Sequence, residues 1–295
     1  MSVPVLMQAG YPIQIPDLSE FQNYTADNRL LGIDYAKFKA GNPFVKAVII
    51  KSAEGDWSGY DPKISLAQAN GFSKVGLPVI PYSFWHYEVK PADQARRFKM
   101  SFVGWDYKPK RAMVDIEDVD NDISRNPSRA LLTSEYPAWC KKAKLIMGAI
   151  RDGLDAHAQA LGFAPFWYGA EWFQGWATWL ATTSYDNTKA MDLSWMSKYE
   201  FHCASYTAPW MYLATGMTMQ QTILWQYTST PVVGKQLAGV PNPGSFDMNY
   251  WLKTEDEFNK WIDNVPVPIP DPDPVQAPWV ITIKGSGERP IVTVI

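Results

Sequence analysis

The sequence predicts an α/β barrel of eight strands, and three observations carry that prediction. The chain has 295 residues, 46% of them hydrophobic, which suits one large barrel with a sizeable core. Short apolar segments with strand character recur along it, and helical patterns separate the early ones. Polar residues follow these segments, where such a barrel builds its active site. The last strands are linked by less helix, so we expect an irregular final third.

The predicted strands alternate with helical patterns in the first half of the chain. The strands are Ile13–Ser19, Ala47–Ser52, Val79–Trp85, Arg111–Glu117, Pro165–Gly169, Phe201–Tyr206, Ile223–Tyr227 and Ser245–Met248. The helical patterns are Ile64–Val75, Ala92–Val103 and Ser128–Leu161, the last of which Pro137 breaks or restarts.

The C-terminal part of the chain divides from the barrel by composition. We expect the barrel over residues 1–262, a linker over 263–278 and a short tail over 279–295, because Val265–Pro278 holds six Pro. Two β-rich runs flank Gly285-Ser286-Gly287 in the tail and predict a hairpin. A lone hairpin is marginal in water, so it should pack on the barrel, pair with another chain, or be the stub of a longer domain.

Charge, cysteines and apolar runs exclude several classes of function. The net charge of −3 argues against nucleic acid as a partner. No apolar run reaches membrane-spanning length, and the N-terminus lacks the basic start of a Sec signal, so we expect no membrane insertion and no signal peptide. Cys140 and Cys203 show no metal spacing and are expected to be buried free thiols in a monomer. We expect no metal and no cofactor.

The segment Met113–Asp118 carries two acids at a spacing that suits chemistry. Side chains alternate along a strand, so Asp115 and Glu117 point to the same side. Two carboxylates at so short a distance repel each other, so the pKa of one of them is raised. A neutral acid beside an ionised partner is what acid-catalysed glycoside cleavage needs. The Asp-x-Glu pattern alone is a weak signal, because it also occurs by chance on surface strands; the apolar approach through Ala112, Met113 and Val114 strengthens the case for a functional pair.

Other polar and aromatic residues fall near predicted strand ends and should converge on the same mouth. The candidate catalytic acids are Asp17, Asp115, Glu117 and Asp247, and the candidate substrate-binding residues are Glu54, Tyr82, Ser83, Trp85, Tyr168, Tyr206, Trp225 and Gln226. Lys51 closes the second strand, and Asp247 and Asn249 should close the eighth. Each has a plainer alternative, since Asp17 could cap a helix, Asp247 could hold a turn and Trp225 could be core. Their joint placement on different strands is the argument.

With these motifs the chain resembles the family 25 glycoside hydrolases, the Chalaropsis-type lysozymes common among phage endolysins. The matching motifs run in order over roughly four fifths of the chain: Pro16-Asp17-Leu18-Ser19, Lys51-Ser52-Ala53-Glu54-Gly55, Tyr60-Asp61-Pro62, Tyr82-Ser83-Phe84, Asp115-Ile116-Glu117, Trp167-Tyr168-Gly169, Ala204-Ser205-Tyr206, Trp225-Gln226-Tyr227 and Phe246-Asp247-Met248-Asn249. One departure is Ser83, where the family usually has His.

The resemblance implies a flattened, irregular eight-stranded barrel and an activity. The activity is cleavage of the β-1,4 bond from N-acetylmuramic acid to N-acetylglucosamine in bacterial peptidoglycan, with acids at Asp17, Asp115, Glu117 and Asp247 and the Glu as proton donor. A lysin without a signal peptide fits a phage product in the host cytoplasm, released through a holin, or one carried on the virion. Bacterial export by another route also fits.

Two alternatives stay open at the level of sequence. One is a carbohydrate-binding or virion structural protein that keeps the barrel with reduced catalysis, motivated by Ser83 and the tail hairpin. Retention of all four acids argues against it, because a binder has no need of four converging carboxylates. The other is a glycosidase of chitin-like polymers, which share the 2-acetamido group with peptidoglycan.

Overall fold

The structure is a computed structural model of the chain. It describes residues 3–6, 13–19, 22, 32–55, 62–118, 136–170, 191–206, 210–213, 217–228, 237–241, 247–263, 282–284 and 291–293. Most of the predicted linker therefore lies outside the described residues, as does the start of the long helical pattern at Ser128.

The described strands include a closed barrel of eight. In chain order the strands are β1 (Val3–Leu6), β2 (Gln14–Leu18), β3 (Val48–Glu54), β4 (Val79–His86), β5 (Met113–Asp118), β6 (Phe166–Ala170), β7 (Phe201–Ala204), β8 (Trp210–Leu213), β9 (Thr222–Thr228), β10 (Asp247–Trp251), β11 (Thr282–Lys284) and β12 (Ile291–Thr293). The barrel order is β10-β2-β3-β4-β5-β6-β7-β9. The predicted α/β barrel is confirmed.

The eighth barrel strand differs from its prediction in both position and direction. Neighbouring strands from β2 to β9 run parallel, whereas β10 is antiparallel to β2 and to β9. Its span is Asp247–Trp251, not Ser245–Met248. Asp247 therefore begins its strand, and the antiparallel direction brings that beginning to the rim where the parallel strands end.

The helices follow the local signals in the sequence. They are α1 (Tyr35–Gly41), α2 (Pro62–Lys74), α3 (Pro91–Met100), α4 (Tyr136–Leu161) and α5 (Glu255–Asp263), with a 3₁₀ helix over Ser194–Lys198. Proline stands in the first turn of α2, α3 and α4, where its missing N–H costs no hydrogen bond. Pro137 thus stands in the first turn of α4, which agrees with a restart of the helical pattern there. Asp34 caps α1 by accepting from the N–H of Lys37 at 3.0 Å.

The two faces of the barrel strands enter different cores. Inside, Ile15, Ile49 and Met113 belong to a buried cluster whose floor is Trp251, packed on α5 through Phe258. Outside, large apolar side chains share a second buried cluster with residues of α4: Trp85, Val114, Trp167, Phe201, Cys203 and Trp225. Cys140 and Cys203 are buried and lie outside any disulfide that the structure describes, as predicted.

Two pairs of strands lie apart from the barrel sheet. β1 pairs antiparallel with β8, a ribbon that the sequence did not predict. β11 pairs antiparallel with β12, which confirms the tail hairpin. No helix among the described residues is both long and apolar enough to span a bilayer.

Candidate active site

The acids of β5 point into the mouth of the barrel. Met113 faces the interior core while Val114 and Ile116 belong to the outer one, so alternation turns Asp115 and Glu117 inward. Asp115 is only 8% exposed, whereas Glu117 is open to solvent. Oδ1 of Asp115 is buried and accepts no hydrogen bond from any residue that the structure describes. The shared orientation predicted from spacing is confirmed.

Asp17 and Asp247 meet on the neighbouring pair of strands. Asp17 lies near the end of β2, and Asp247 is its direct partner in the antiparallel register with β10. Asp17 is two residues from Ile15, which is fully buried inside the barrel, so the Asp17 side chain faces the same interior. The charge of Glu117 raises the pKa of both aspartates, which places all four acids in one electrostatic cluster.

Burial and mutual repulsion hold these acids toward the protonated state. Burial, then the charges of Asp247 and Glu117, raise the pKa of Asp17 well above its usual value. Burial, then Glu117 and Asp17, do the same for Asp115. Burial raises the pKa of Asp247 to about 6, with a further contribution from Glu117. Partial burial of the Glu117 carboxyl raises its pKa as well, although Tyr168 and Lys51 oppose the shift.

Lys51 is the cation that counters this cluster. Its charge lowers the pKa of Asp17, Asp115 and Glu117. The Lys51 ammonium forms an ion pair with Glu54, and it lies 5.4 Å from the centre of the Phe84 ring. The second oxygen of Glu54 lies 3.4 Å from Nε2 of His86. Glu54 thus positions a lysine beside the acids. Sequence reasoning placed Lys51 at a strand end without this role, and it did not find His86.

A hydrogen-bonded group of Tyr168, Gln226 and Tyr206 adjoins Glu117. The Tyr168 hydroxyl donates to Oε1 of Gln226 at 2.8 Å, and the Tyr206 hydroxyl donates to the same oxygen. Tyr168 is also hydrogen-bonded to the Glu117 carboxyl. A hydroxyl has one proton, so Tyr168 donates either to Gln226 or to the Glu117 carboxylate, and the bond to the carboxylate lowers the pKa of Glu117. These three predicted residues do come together at the mouth, with Tyr206 half exposed.

Ser83, Trp85 and Trp225 do not reach the mouth, contrary to the prediction. Trp85 is 1% exposed and lies beneath α4, where a methyl group on Gly153 would come within 2.8 Å of its indole nitrogen. Ser83 is two residues from Trp85 and is fully buried on the same outer face of β4. Trp225 belongs to the outer cluster and donates from its indole to the Ser205 carbonyl at 2.9 Å. For Trp225 the plainer alternative, a core residue, is correct.

Tyr82 and Asn249 face the interior. Tyr82 is 8% exposed and belongs to the inner cluster, on the opposite face of β4 from Ser83. Asn249 does not close a strand at the mouth as predicted, because β10 runs inward from Asp247 and buries Asn249 completely. It hydrogen-bonds there with His202, a contact that no sequence pattern announced. Among the described residues, no group of His, Cys, Asp and Glu is arranged to hold a metal ion.

The chain matches one protein family over most of its length. The sequence profile of the glycosyl hydrolases family 25 matches residues 17–235, a span that includes Asp17, Asp115 and Glu117 and ends before Asp247. A comparison with curated protein sequences finds no significant match.

Several solved structures share the fold at low sequence identity. A family 25 glycosyl hydrolase from Bacillus anthracis superposes with a TM-score of 0.55 at 16% identity, over 88% of this chain and 98% of that one. A lysozyme from Streptomyces coelicolor gives 0.55 at 17%, over 87% and 99%. The catalytic domain of an endolysin from bacteriophage P40 of Listeria monocytogenes gives 0.53 at 18%, over 87% and 100%.

Proposed function

The chain belongs to glycosyl hydrolase family 25 and is a glycoside hydrolase, and from that premise we propose that it is an N-acetylmuramidase of bacterial peptidoglycan. It cleaves the β-1,4 bond between N-acetylmuramic acid and N-acetylglucosamine. The observation that carries the proposal is the convergence of Asp115 and Glu117 with Asp17 and Asp247 at one mouth. Its setting is the cell wall, reached as an endolysin or a virion-carried lysin.

Glu117 is the general acid. A catalytic acid must touch the substrate and must hold its proton near the working pH. Of the four acids Glu117 is the one open to solvent, and the protein around it raises its pKa. Its proton passes to the glycosidic oxygen as the bond to the anomeric carbon breaks. Typical contributions of such a donor are about 10²- to 10⁴-fold.

Asp115 orients the 2-acetamido group of the substrate. A direct nucleophile would have to attack from the opposite sugar face, and Asp115 stands too close along the strand to Glu117 for that role. Substrate-assisted retaining mechanisms are known among glycosidases. An oxygen of Asp115 accepts from the acetamido N–H, and the acetamido oxygen then attacks the anomeric carbon. Water opens the resulting ring intermediate, with the Glu117 carboxylate taking the proton of that water.

The remaining polar residues shape and tune this site. Asp17 and Asp247 raise the pKa of Asp115, which keeps the cluster short of full ionisation. Glu54 holds Lys51, and the half-exposed Tyr206 presents aromatic and hydrogen-bonding surface to the sugar. The buried Gln226 accepts from the Tyr206 hydroxyl, and the buried Tyr82 and Tyr168 line the interior of the site. A carbohydrate binder without catalysis has no need for four repelling carboxylates in one place, and this favours the enzyme over that alternative.

The test is release of reducing ends from purified peptidoglycan, with mass analysis of the products. The wild type should release fragments that end in reducing N-acetylmuramic acid, whereas Glu117→Gln should release none while keeping the wild-type Tm. Glu255→Gln makes the same change on α5, at the far end of the barrel, and should behave as wild type. Substantial activity in Glu117→Gln would exclude Glu117 as the acid. Binding without product from several wall types would favour the binding protein.

A further inference from the structure

A buried polar pair spans the barrel interior directly beneath the acids. His202 of β7 and Asn249 of β10 are both fully buried. Nε2 of His202 lies 2.7 Å from Oδ1 of Asn249. Nδ2 of Asn249 donates to the carbonyl of Ile15 on β2 at 2.8 Å. The strands β7 and β10 are not neighbours, because β9 lies between them, so no backbone ladder makes this connection.

The hydrogen bonds fix the orientation of the Asn249 amide and place a proton on Nε2 of the His202 imidazole. A backbone carbonyl only accepts, so the Asn249 atom that faces Ile15 is the amide nitrogen. Its oxygen therefore faces His202 and accepts from Nε2–H. The other ring nitrogen, Nδ1, lies 3.2 Å from the sulfur of Met113, which is only a weak acceptor. Complete burial keeps this imidazole neutral, since it lowers the pKa of His202 to about 3.

Each contact of this pair lies on a strand that carries part of the site. Along a strand, residues two apart share a face. Ile15 is two residues from Asp17, Met113 two from Asp115 and Asn249 two from Asp247. The His202 ring also meets the Tyr168 ring edge to face, with centres 4.9 Å apart. The His202 imidazole and the Asn249 amide thus connect the strands that carry Asp17, Asp115 and Asp247. The imidazole also contacts Tyr168, which is hydrogen-bonded to Glu117.

We propose that His202 and Asn249 are positioning residues for the glycosidase reaction, a neutral brace that holds the carboxyl groups at their working separations. The inference rests on the proposed function, since the reaction is that of the same site. Neutrality matters because the charged groups above the brace are Asp17, Asp115, Glu117, Asp247 and Lys51. A cation beneath them would draw the acids toward ionisation, and an apolar side chain would leave the Asn249 oxygen buried without a donor.

A comparison of His202→Leu with His202→Gln and with a matched control tests the brace. A glutamine amide can place its nitrogen where Nε2 stands. The control is His157→Leu on α4, another fully buried histidine, whose Nδ1 lies 2.7 Å from the Gly153 carbonyl and whose packing is outside the barrel. Turnover of purified peptidoglycan is measured against substrate concentration and pH, at a temperature below the Tm of each variant. The Tm of each variant is measured separately as a function of pH.

His202→Leu should lose kcat on the order of tenfold to a hundredfold, because a misplacement of about 1 Å can cost that much. The pH profile of kcat should also shift in His202→Leu. His202→Gln should recover most of the wild-type kcat and most of the wild-type profile. His157→Leu should lose Tm with the wild-type kcat and profile. The double variant His202→Leu, Asn249→Leu should regain part of the lost Tm without regaining kcat, because the buried Asn249 oxygen is gone while the Ile15 carbonyl still loses its side-chain donor.

Wild-type turnover separates the two proposals. An inactive wild type would overturn the muramidase, whereas an active wild type with unchanged kcat and pH profile in His202→Leu would overturn the brace. The pH dependence of Tm tests the brace without turnover. Above about pH 5 both histidines are neutral in the folded chain, so removing either one changes the pH dependence of Tm in the same way. A difference between the two Tm–pH curves in this range therefore reports displaced carboxyls, and identical curves there would also overturn the brace.

Discussion

The inner and outer faces of the barrel strands differ in chemistry although their residues alternate along the same chain. On the outer face Trp85, Trp167 and Trp225 are at most 4% exposed and pack in an apolar cluster. On the inner face, near the mouth, the alternating positions hold Asp115, Glu117, Tyr168 and Gln226. The outer face stabilises the fold. The inner face gathers repelling carboxyls whose raised pKa values show that their ionisation is unfavourable in the folded chain.

The comparison indicates which substitutions should affect turnover and which should affect folding. Functional sites often keep groups that are unfavourable for stability. Removing an inner-face acid should therefore leave stability unchanged or raise it. Removing an outer-face tryptophan should do the reverse.

Asp115→Asn should give the largest effect that separates the faces. We expect kcat to fall on the order of 10²- to 10³-fold, as when one preorganised electrostatic group is lost. Tm should stay or rise, because a neutral amide replaces a buried carboxyl whose pKa is raised by burial and repulsion. Asp152→Asn, the same change on the exposed surface of α4, is the control. A fall in Tm with wild-type kcat would make Asp115 a structural residue and break the comparison.

Trp85→Ala should destabilise the fold without altering the site. Loss of a buried tryptophan typically costs about 3–5 kcal/mol, and Trp85 packs closely against Gly153 of α4. Denaturant unfolding measures the loss, and kcat below the transition should match wild type. Phe84→Ala provides the contrast on the inner face, where the ring lies beside Lys51, and it should mainly raise KM. A stable but inactive Trp85→Ala would return Trp85 to the cleft, where sequence reasoning put it.

The sequence was sufficient for the eight barrel strands and for the common side of Asp115 and Glu117, but not for the direction in which every strand residue points. Strand alternation alone turned Asp115 and Glu117 to one side, and chain order placed the parallel strands. The same rule shows that Tyr82 cannot share a face with Ser83 and Trp85, so those three predictions could not all hold. Which face of β4 turns inward depends on contacts with β3 and β5, which are distant in the chain.

Direction and long-range pairing were beyond the sequence for a related reason. Nothing local to Asp247 states that β10 runs against its neighbours, since strand propensity is the same in both directions. The bond from His202 to Asn249 joins residues 47 apart through the interior. The buried run Phe201–Ala204 carries no periodic signal that singles out its histidine.

The smallest expected effect is on the pH dependence of stability. The pKa of Asp247 rises from an ordinary 3.8 to about 6 in the folded chain. Between these values the folded state keeps a proton that the unfolded state has lost, so the free energy of unfolding falls as pH rises through the window. Buried His157 and His202, with pKa values lowered to about 4 and about 3, act in the opposite sense.

The decisive quantity is therefore the difference between wild type and Asp247→Asn. The variant keeps both histidines and loses only the carboxyl, so its stability relative to wild type should rise from pH 4 to pH 6 and then level off. Urea unfolding at intervals across this range measures it, with Asp152→Asn expected to show no such trend. A constant difference would mean that Asp247 ionises as it would in water. The inner face would then lack the mutual repulsion that distinguishes it from the outer one.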